Sequence, residues 1–255
     1  MKLTRTLLIA ALWSPLAAAP VPVRYPEGLT RGYLVLRDLQ GKILAHGDLL
    51  QVIQADVLDK RMVFHFNDGS VYDERVTFTQ REVFRLQTYR LSQKGPSFEA
   101  DSEISLTGAS GAYRVTTRNH RDGKEKVDEG TVEVPPDLYN GLITTIVKDF
   151  PKGRGETVHF AAFMPDPKII ELEMIPTGEA DIIAGDLKDK AVHYLLKPQP
   201  GFWMKLFAKL LGRMPPDLHV WVADGGAPAF VAFEGQLSSN GPIWRIEVVS
   251  PQLAR

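Results

Sequence analysis

Apolar and polar positions alternate with a period of two through much of the chain. In 61–67, Met62, Phe64 and Phe66 share one face, while Arg61, Val63, His65 and Asn67 share the other. In 169–175, Ile170, Leu172 and Met174 oppose Glu171 and Glu173. In 243–249, Trp244, Ile246 and Val248 oppose Arg245 and Glu247. This pattern marks strands with one buried and one wet face. Turn signals separate the runs: Gln40-Gly41, Asn67-Asp68-Gly69, Lys94-Gly95-Pro96, Gly108 to Gly111, Asp122-Gly123, Asp224-Gly225-Gly226 and Asn240-Gly241. Asp-Gly and Asn-Gly pairs supply the positive φ of tight hairpins. Strands so close in sequence must pair antiparallel.

The template predicts a mainly β protein of about a dozen strands. A sheet of that size curls, so the expectation is a large antiparallel curved sheet or an incomplete β-barrel. The stretch 99–133 is polar on both faces for much of its length and is expected at the rim or edge, where its charges discourage edge-to-edge pairing.

Two segments break the pattern. In 137–150, Leu138, Leu142, Ile143, Ile146, Val147 and Phe150 fall on one helical stripe, opened by Pro135 and Pro136 and stopped by Pro151 and Gly153. A helix is predicted there, packed on one side of the sheet. A second, very apolar helix is predicted over 201–213. Lys205, Lys209 and Arg213 line a narrow face, and Phe202, Trp203, Met204, Leu206, Phe207, Leu210, Leu211 and Met214 take the rest. Twelve or so residues span about 18 Å, short of the ~30 Å bilayer core. Three roles fit such a helix: covering the core, closing over an apolar cavity, or meeting a membrane surface or partner through 201–214.

The first 19 residues read as an export signal. Lys2 and Arg5 precede the apolar run Leu7 to Trp13, and Ala17 to Ala19 supply small residues for cleavage. Residues 20–255 are then expected to form one antiparallel β domain, exported to the periplasm or secreted. The 255-residue sequence has no cysteine. That excludes disulfides and an acylated N-terminal cysteine, so the protein is expected to be soluble and not a lipoprotein. Removing residues 1–19 leaves 28 basic and 31 acidic residues, a net charge of −3. This points away from nucleic acid, whose partners carry a clustered basic surface.

Candidate chemistry is sparse. The histidines, at 46, 65, 120, 159, 193 and 219, show no i, i+2 or i, i+4 spacing, so metal ligation would require assembly from distant strands. No metal site and no cofactor is predicted. Neither a G-x-S-x-G elbow nor a phosphate loop occurs. Asp73-Glu74 and Asp128-Glu129 are adjacent strand residues, which point to opposite faces and cannot form a catalytic pair. No catalytic residue is assigned, and a hydrolase or isomerase would have to be assembled across strands.

An export signal, about a dozen antiparallel strands, the "PPDLYNGLITTIVKDFP" segment and a late apolar helix together resemble an exported bacterial family of unknown function with a curved half-barrel. That fold is similar to the one used by the periplasmic lipoprotein carrier and its outer-membrane receptor. The resemblance implies a bent sheet around a hydrophobic cavity, with helices as its lid. The expected function is then non-enzymatic binding of a lipid or other hydrophobic ligand in the cell envelope. Phe202, Trp203, Leu206, Phe207, Leu210 and Leu211 would face the ligand, and Lys205 and Lys209 would sit at its mouth. The alternative is a ligand-free envelope scaffold or protein-interaction domain.

Replacing Leu206 and Leu210 by Lys separates these roles. A lid predicts lost ligand binding with little change in urea stability. A core helix predicts an unfolded domain, because unpaired buried charge costs several kcal/mol.

Overall fold

The computed structural model describes residues 20–150, 153–163, 167–184, 187–199, 216–226, 228–238 and 241–249. The predicted helix over 201–213 and the leader over 1–19 lie outside the described residues.

The first eight strands are β1 Thr30–Arg37, β2 Ile43–Gln54, β3 Val57–Phe66, β4 Val71–Gln80, β5 Phe84–Lys94, β6 Ala100–Thr107, β7 Ala112–Asn119 and β8 Glu125–Thr131. The remaining six are β9 Glu156–Ala162, β10 Lys168–Ala184, β11 Leu187–Pro198, β12 Leu218–Ala223, β13 Ala229–Gln236 and β14 Ile243–Val249. They form a single sheet in the order β8-β7-β6-β5-β4-β3-β2-β1-β14-β13-β12-β11-β10-β9. Every strand pairing in this order is antiparallel. The predicted curved, incomplete barrel is therefore present, with fourteen strands and two open ends, β8 and β9.

The alternation sets the inner face. Phe64 and Phe66 on β3, Leu172 and Met174 on β10, and Trp244 and Ile246 on β14 are all buried in one core. Val248 departs from the expected pattern and is 41% exposed near the end of β14. Gly47 on β2 is needed for packing, since a Cβ there would meet the Phe64 ring at 2.5 Å. The strands from 100 to 131 lie at one end of the sheet, as their polarity implied. On β8, all residues but Asp128 are exposed. Its alternating charges protect an edge that would otherwise template pairing.

The decisive element is the crossover from β8 to β9, which must pass from one end of the sheet to the other. It does so through the inside. Leu138, Tyr139, Leu142, Ile146 and Val147 are almost wholly buried within the core. The predicted helix over 137–150 is corrected here. Only Ile143–Ile146 (α1) is α-helical, and Val147–Asp149 continues as a 3₁₀ turn. Residues 137–140 instead lie along β9, with a parallel bridge from Leu138 to His159. The Tyr139 N–H donates to the His159 carbonyl at 3.0 Å, and the His159 N–H donates to the Asp137 carbonyl at 3.2 Å. The Asn140 side chain completes the match by accepting from the Ala161 N–H and donating to the Ala161 carbonyl, both at 2.8 Å. These bonds occupy β9 backbone groups that a helix starting at 137 would leave unpaired, and buried amides without partners are costly. The apolar stripe is real, but edge pairing wins over helix propensity in its first turn.

The plug touches both halves of the sheet. Gly141 has φ of +71°, and a Cβ on it would meet Tyr89, Val76 and Glu74 at 3.3–3.4 Å, so the backbone lies against β4 and β5. Further along, α1 packs on β13 and the 3₁₀ turn on β12. One segment in contact with both β4 and β13 requires the sheet to bend around it.

Ile146→Ala should cost about 2–5 kcal/mol in urea denaturation, because it opens a cavity where the two halves meet. Val127→Thr on the exposed edge strand β8 should stay within about 0.5 kcal/mol of wild type.

Candidate functional site

The inner face is not uniformly apolar. On β3 the inward phase runs Leu58, Lys60, Met62, Phe64, and Lys60 is buried. Its ammonium donates to Thr144 Oγ1 at 2.5 Å and Thr145 Oγ1 at 3.1 Å in the plug. Desolvation lowers its pKa to about 8, against the opposing charges of Glu74 and Glu27. On β4, Tyr72 and Glu74 share the inward phase, and Tyr89 joins them from β5. Both tyrosine hydroxyls donate to Glu74 Oε1 at 3.1 Å. Burial raises the Glu74 pKa, while Lys60 and the two hydroxyls pull it back.

A strap over 21–28 closes this cluster from the N-terminal side. The Val21 N–H donates to the Tyr139 hydroxyl at 2.7 Å, and Pro22 forms an antiparallel bridge with Val83, just ahead of β5. The Arg24 and Tyr25 N–H groups donate to Asp149 Oδ1 at 2.6 and 2.8 Å. Asp149 is fully enclosed, and its Oδ2 has no hydrogen-bond partner among the described residues. Burial raises its pKa to about 6, and the two amides and Lys148 only partly offset this. Lys148 pairs with Glu27, whose second oxygen accepts from Gln51 Nε2 at 2.8 Å. The other end of the plug is held by His159 Nδ1 and Asp137 Oδ2 at 2.7 Å, a contact that raises the His159 pKa.

Strap, plug and sheet leave a cleft of about 170 Å³. Tyr25 and Phe150 form part of it, Val192, Tyr194 and Val222 of β11 and β12 another part, and Arg24, Lys148 and Asp224 add charge. The arrangement is an apolar slot with charged groups around it. The Lys60–Glu74 cluster is enclosed beneath the plug and fastens it. It pairs a lysine of lowered pKa with a carboxyl of raised pKa, the kind of perturbation that also arises in structural networks.

The ligand-facing set expected at Phe202, Trp203, Lys205, Leu206, Phe207, Lys209, Leu210 and Leu211 lies outside the described residues. The adjacent acidic pairs divide between faces as expected: Asp73 meets Arg61 on the outside, while Glu74 turns inward. Among the described residues, no three His, Cys, Asp or Glu side chains come together as a metal set, and no helix is long and apolar enough to cross a membrane. The residues that sequence reasoning missed are Lys60, Glu74 and Asp149. Lys60 carried a usable signal, since it keeps phase with Met62, Phe64 and Phe66.

No family model matches the chain, and no curated protein does. Among solved structures, it is similar to a β-barrel-like protein of domain of unknown function DUF1849 from Brucella abortus. The identity is 11% and the TM-score 0.45, over 91% of this chain and 98% of that one.

Asp149 makes the plug sensitive to pH. Its carboxyl stands at about 6 when folded, against an ordinary 3.8. The folded state thus binds the proton more tightly, and this group's contribution to stability falls as pH rises from about 4 to 6, then levels off. Asp149→Asn removes that slope. Urea titrations should show the variant gaining roughly 2–3 kcal/mol relative to wild type between pH 4 and pH 7. A pH-independent difference would show that the carboxyl titrates normally.

Proposed function

We propose that the chain is an exported, non-enzymatic cell-envelope protein that holds one end of a slender amphiphile in the cleft between strap, plug and strands β11 and β12. The observation that carries this reading is the lining: Tyr25, Phe150, Val192 and Val222 offer apolar surface, and Arg24 offers positive charge for a carboxylate or phosphate. Each CH₂ taken from water contributes about 0.8 kcal/mol, so a few carbons of chain would be held without any polar motif. Cavities for whole drug-sized ligands run to about 300–1,000 Å³. The described cleft, at about 170 Å³, suits part of a single chain rather than a two-chain lipid. Export is supported by the leader-like composition of residues 1–19 and by the position of Val21. Cleavage after Ala18 or Ala19 retains Val21, whose buried side chain and N–H anchor the strap on Tyr139.

A second reading, an envelope scaffold working through a protein partner, is favoured by the extent to which the plug fills the concavity. Native mass spectrometry of residues 20–255, purified from the periplasm without detergent, decides between them. Under the ligand reading the protein carries extra mass matching a single-chain amphiphile, removed by organic extraction. A bare mass would overturn that reading and leave the scaffold.

A further inference from the structure

Strands β10, β11 and β12 gather a second group of side chains on the outer face, opposite the plug. His193 and Trp221 are direct cross-strand partners. Their rings stack with centroids 4.6 Å apart and 12° between planes. His219, two residues before Trp221, meets His193 almost end to end, with ring centroids 5.1 Å apart and 17° between planes. His193 Nε2 and His219 Nδ1 stand 3.0 Å apart. The pairing of β11 with β12 therefore brings together two histidines that are 26 residues apart in the chain.

Thr177 holds the ring of His193 at its other nitrogen. Its Oγ1 lies 2.8 Å from His193 Nδ1 and donates its own proton to the His193 carbonyl at 3.3 Å. In the tautomer protonated at Nδ1 the hydroxyl accepts from that N–H, and the lone pair of His193 sits on Nε2, facing His219. An outward hydrogen bond from the other ring nitrogen is the usual support of a metal-binding histidine. The charge balance does not oppose a cation. Glu234 lies opposite His219 on β13, and it also pairs Arg245, whose guanidinium lies over Trp221 at 5.6 Å.

We propose that His193 Nε2 and His219 Nδ1 form a two-nitrogen surface site for a divalent first-row metal ion, copper(II) foremost, with water in the remaining positions. With metal–nitrogen bonds of about 2.0–2.1 Å, cis ligands at right angles are about 2.9 Å apart and tetrahedral ones about 3.3 Å. The 3.0 Å of the shared hydrogen bond lies close to the cis spacing, so small ring rotations let both nitrogens turn to one ion, and copper(II) heads the affinity order for nitrogen sites. On binding, the ion takes the place of the shared proton, and His219 carries its hydrogen on Nε2 instead. No net proton is released from the pair.

The purified protein is titrated with copper(II) sulfate in a non-coordinating buffer at pH 7. Tryptophan emission and electron paramagnetic resonance are read together. One equivalent binds, quenches the emission of the stacked Trp221 and shows nitrogen coordination. His193→Gln and His219→Gln each weaken binding at least tenfold and abolish the quenching, with circular dichroism unchanged. Thr177→Val keeps both imidazoles and weakens binding by about tenfold or more, as loss of an outer partner does. The other cross-strand pair, His46 and His65, serves as control, and its double Asn variant retains the wild-type affinity. Absence of saturable binding in wild type, or affinity within twofold of wild type in both Gln variants, overturns the proposal. So does loss of binding in the His46/His65 control alone.

Discussion

The chain has to cross the inside of its own sheet. The crossover from β8 to β9 joins the two open ends, and the concave route brings a backbone full of amides into the core. The structure meets that constraint with three sets of polar contacts. Residues 137–140 borrow the β9 edge, Lys60 binds the threonines of α1, and Asp149 gathers the amides of the strap. The apolar stripe of the plug then packs against both halves of the sheet. Curvature, cleft and strap position all follow from that one solution.

The same solution explains where charge is found. Buried ionisable groups are costly unless paired. Here they sit where the plug, the strap and the sheet meet, and each has at least one partner from another element: Lys60 with the plug, Glu74 with Tyr89, Glu27 with Lys148 and Asp149 with the strap. Their placement ties three separate pieces of chain into one register. The outer face follows a different rule. Cross-strand pairs such as Arg61–Asp73 and Arg75–Asp59 are exposed, and pairs of that kind contribute little each.

Much of the sheet was legible because a period of two is a direct consequence of the pleat. Phe64, Leu172 and Ile246 could be placed inward from their neighbours alone. The polar stretch that became β6 to β8 could be placed at an edge for the same reason. The plug was legible as an apolar stripe but not as a conformation. Whether Asp137 to Asn140 coil or lie along a strand depends on β9, which lies beyond them in sequence. The polar network was only partly legible. Lys60 breaks an apolar phase and could be noticed, whereas Asp149 becomes a binder of amides only when residues 24 and 25 arrive from more than a hundred positions away. The histidine pair is of the same kind. No spacing links 193 to 219 until β11 and β12 are in register.

The pairing of β1 with β14 has a consequence for how the molecule is made. The first strand synthesised waits for the last before the centre of the sheet exists. Until residues 243–249 are available, β1 to β8 and β9 to β13 are two separate sheets, each with an uncovered apolar face and an unsatisfied inner edge. Contacts of such sequence separation form slowly, since a long loop must close before any contact is gained. A chain built this way keeps its central edge open until residues 243–249 have been made, so the order of synthesis decides when the sheet can become continuous.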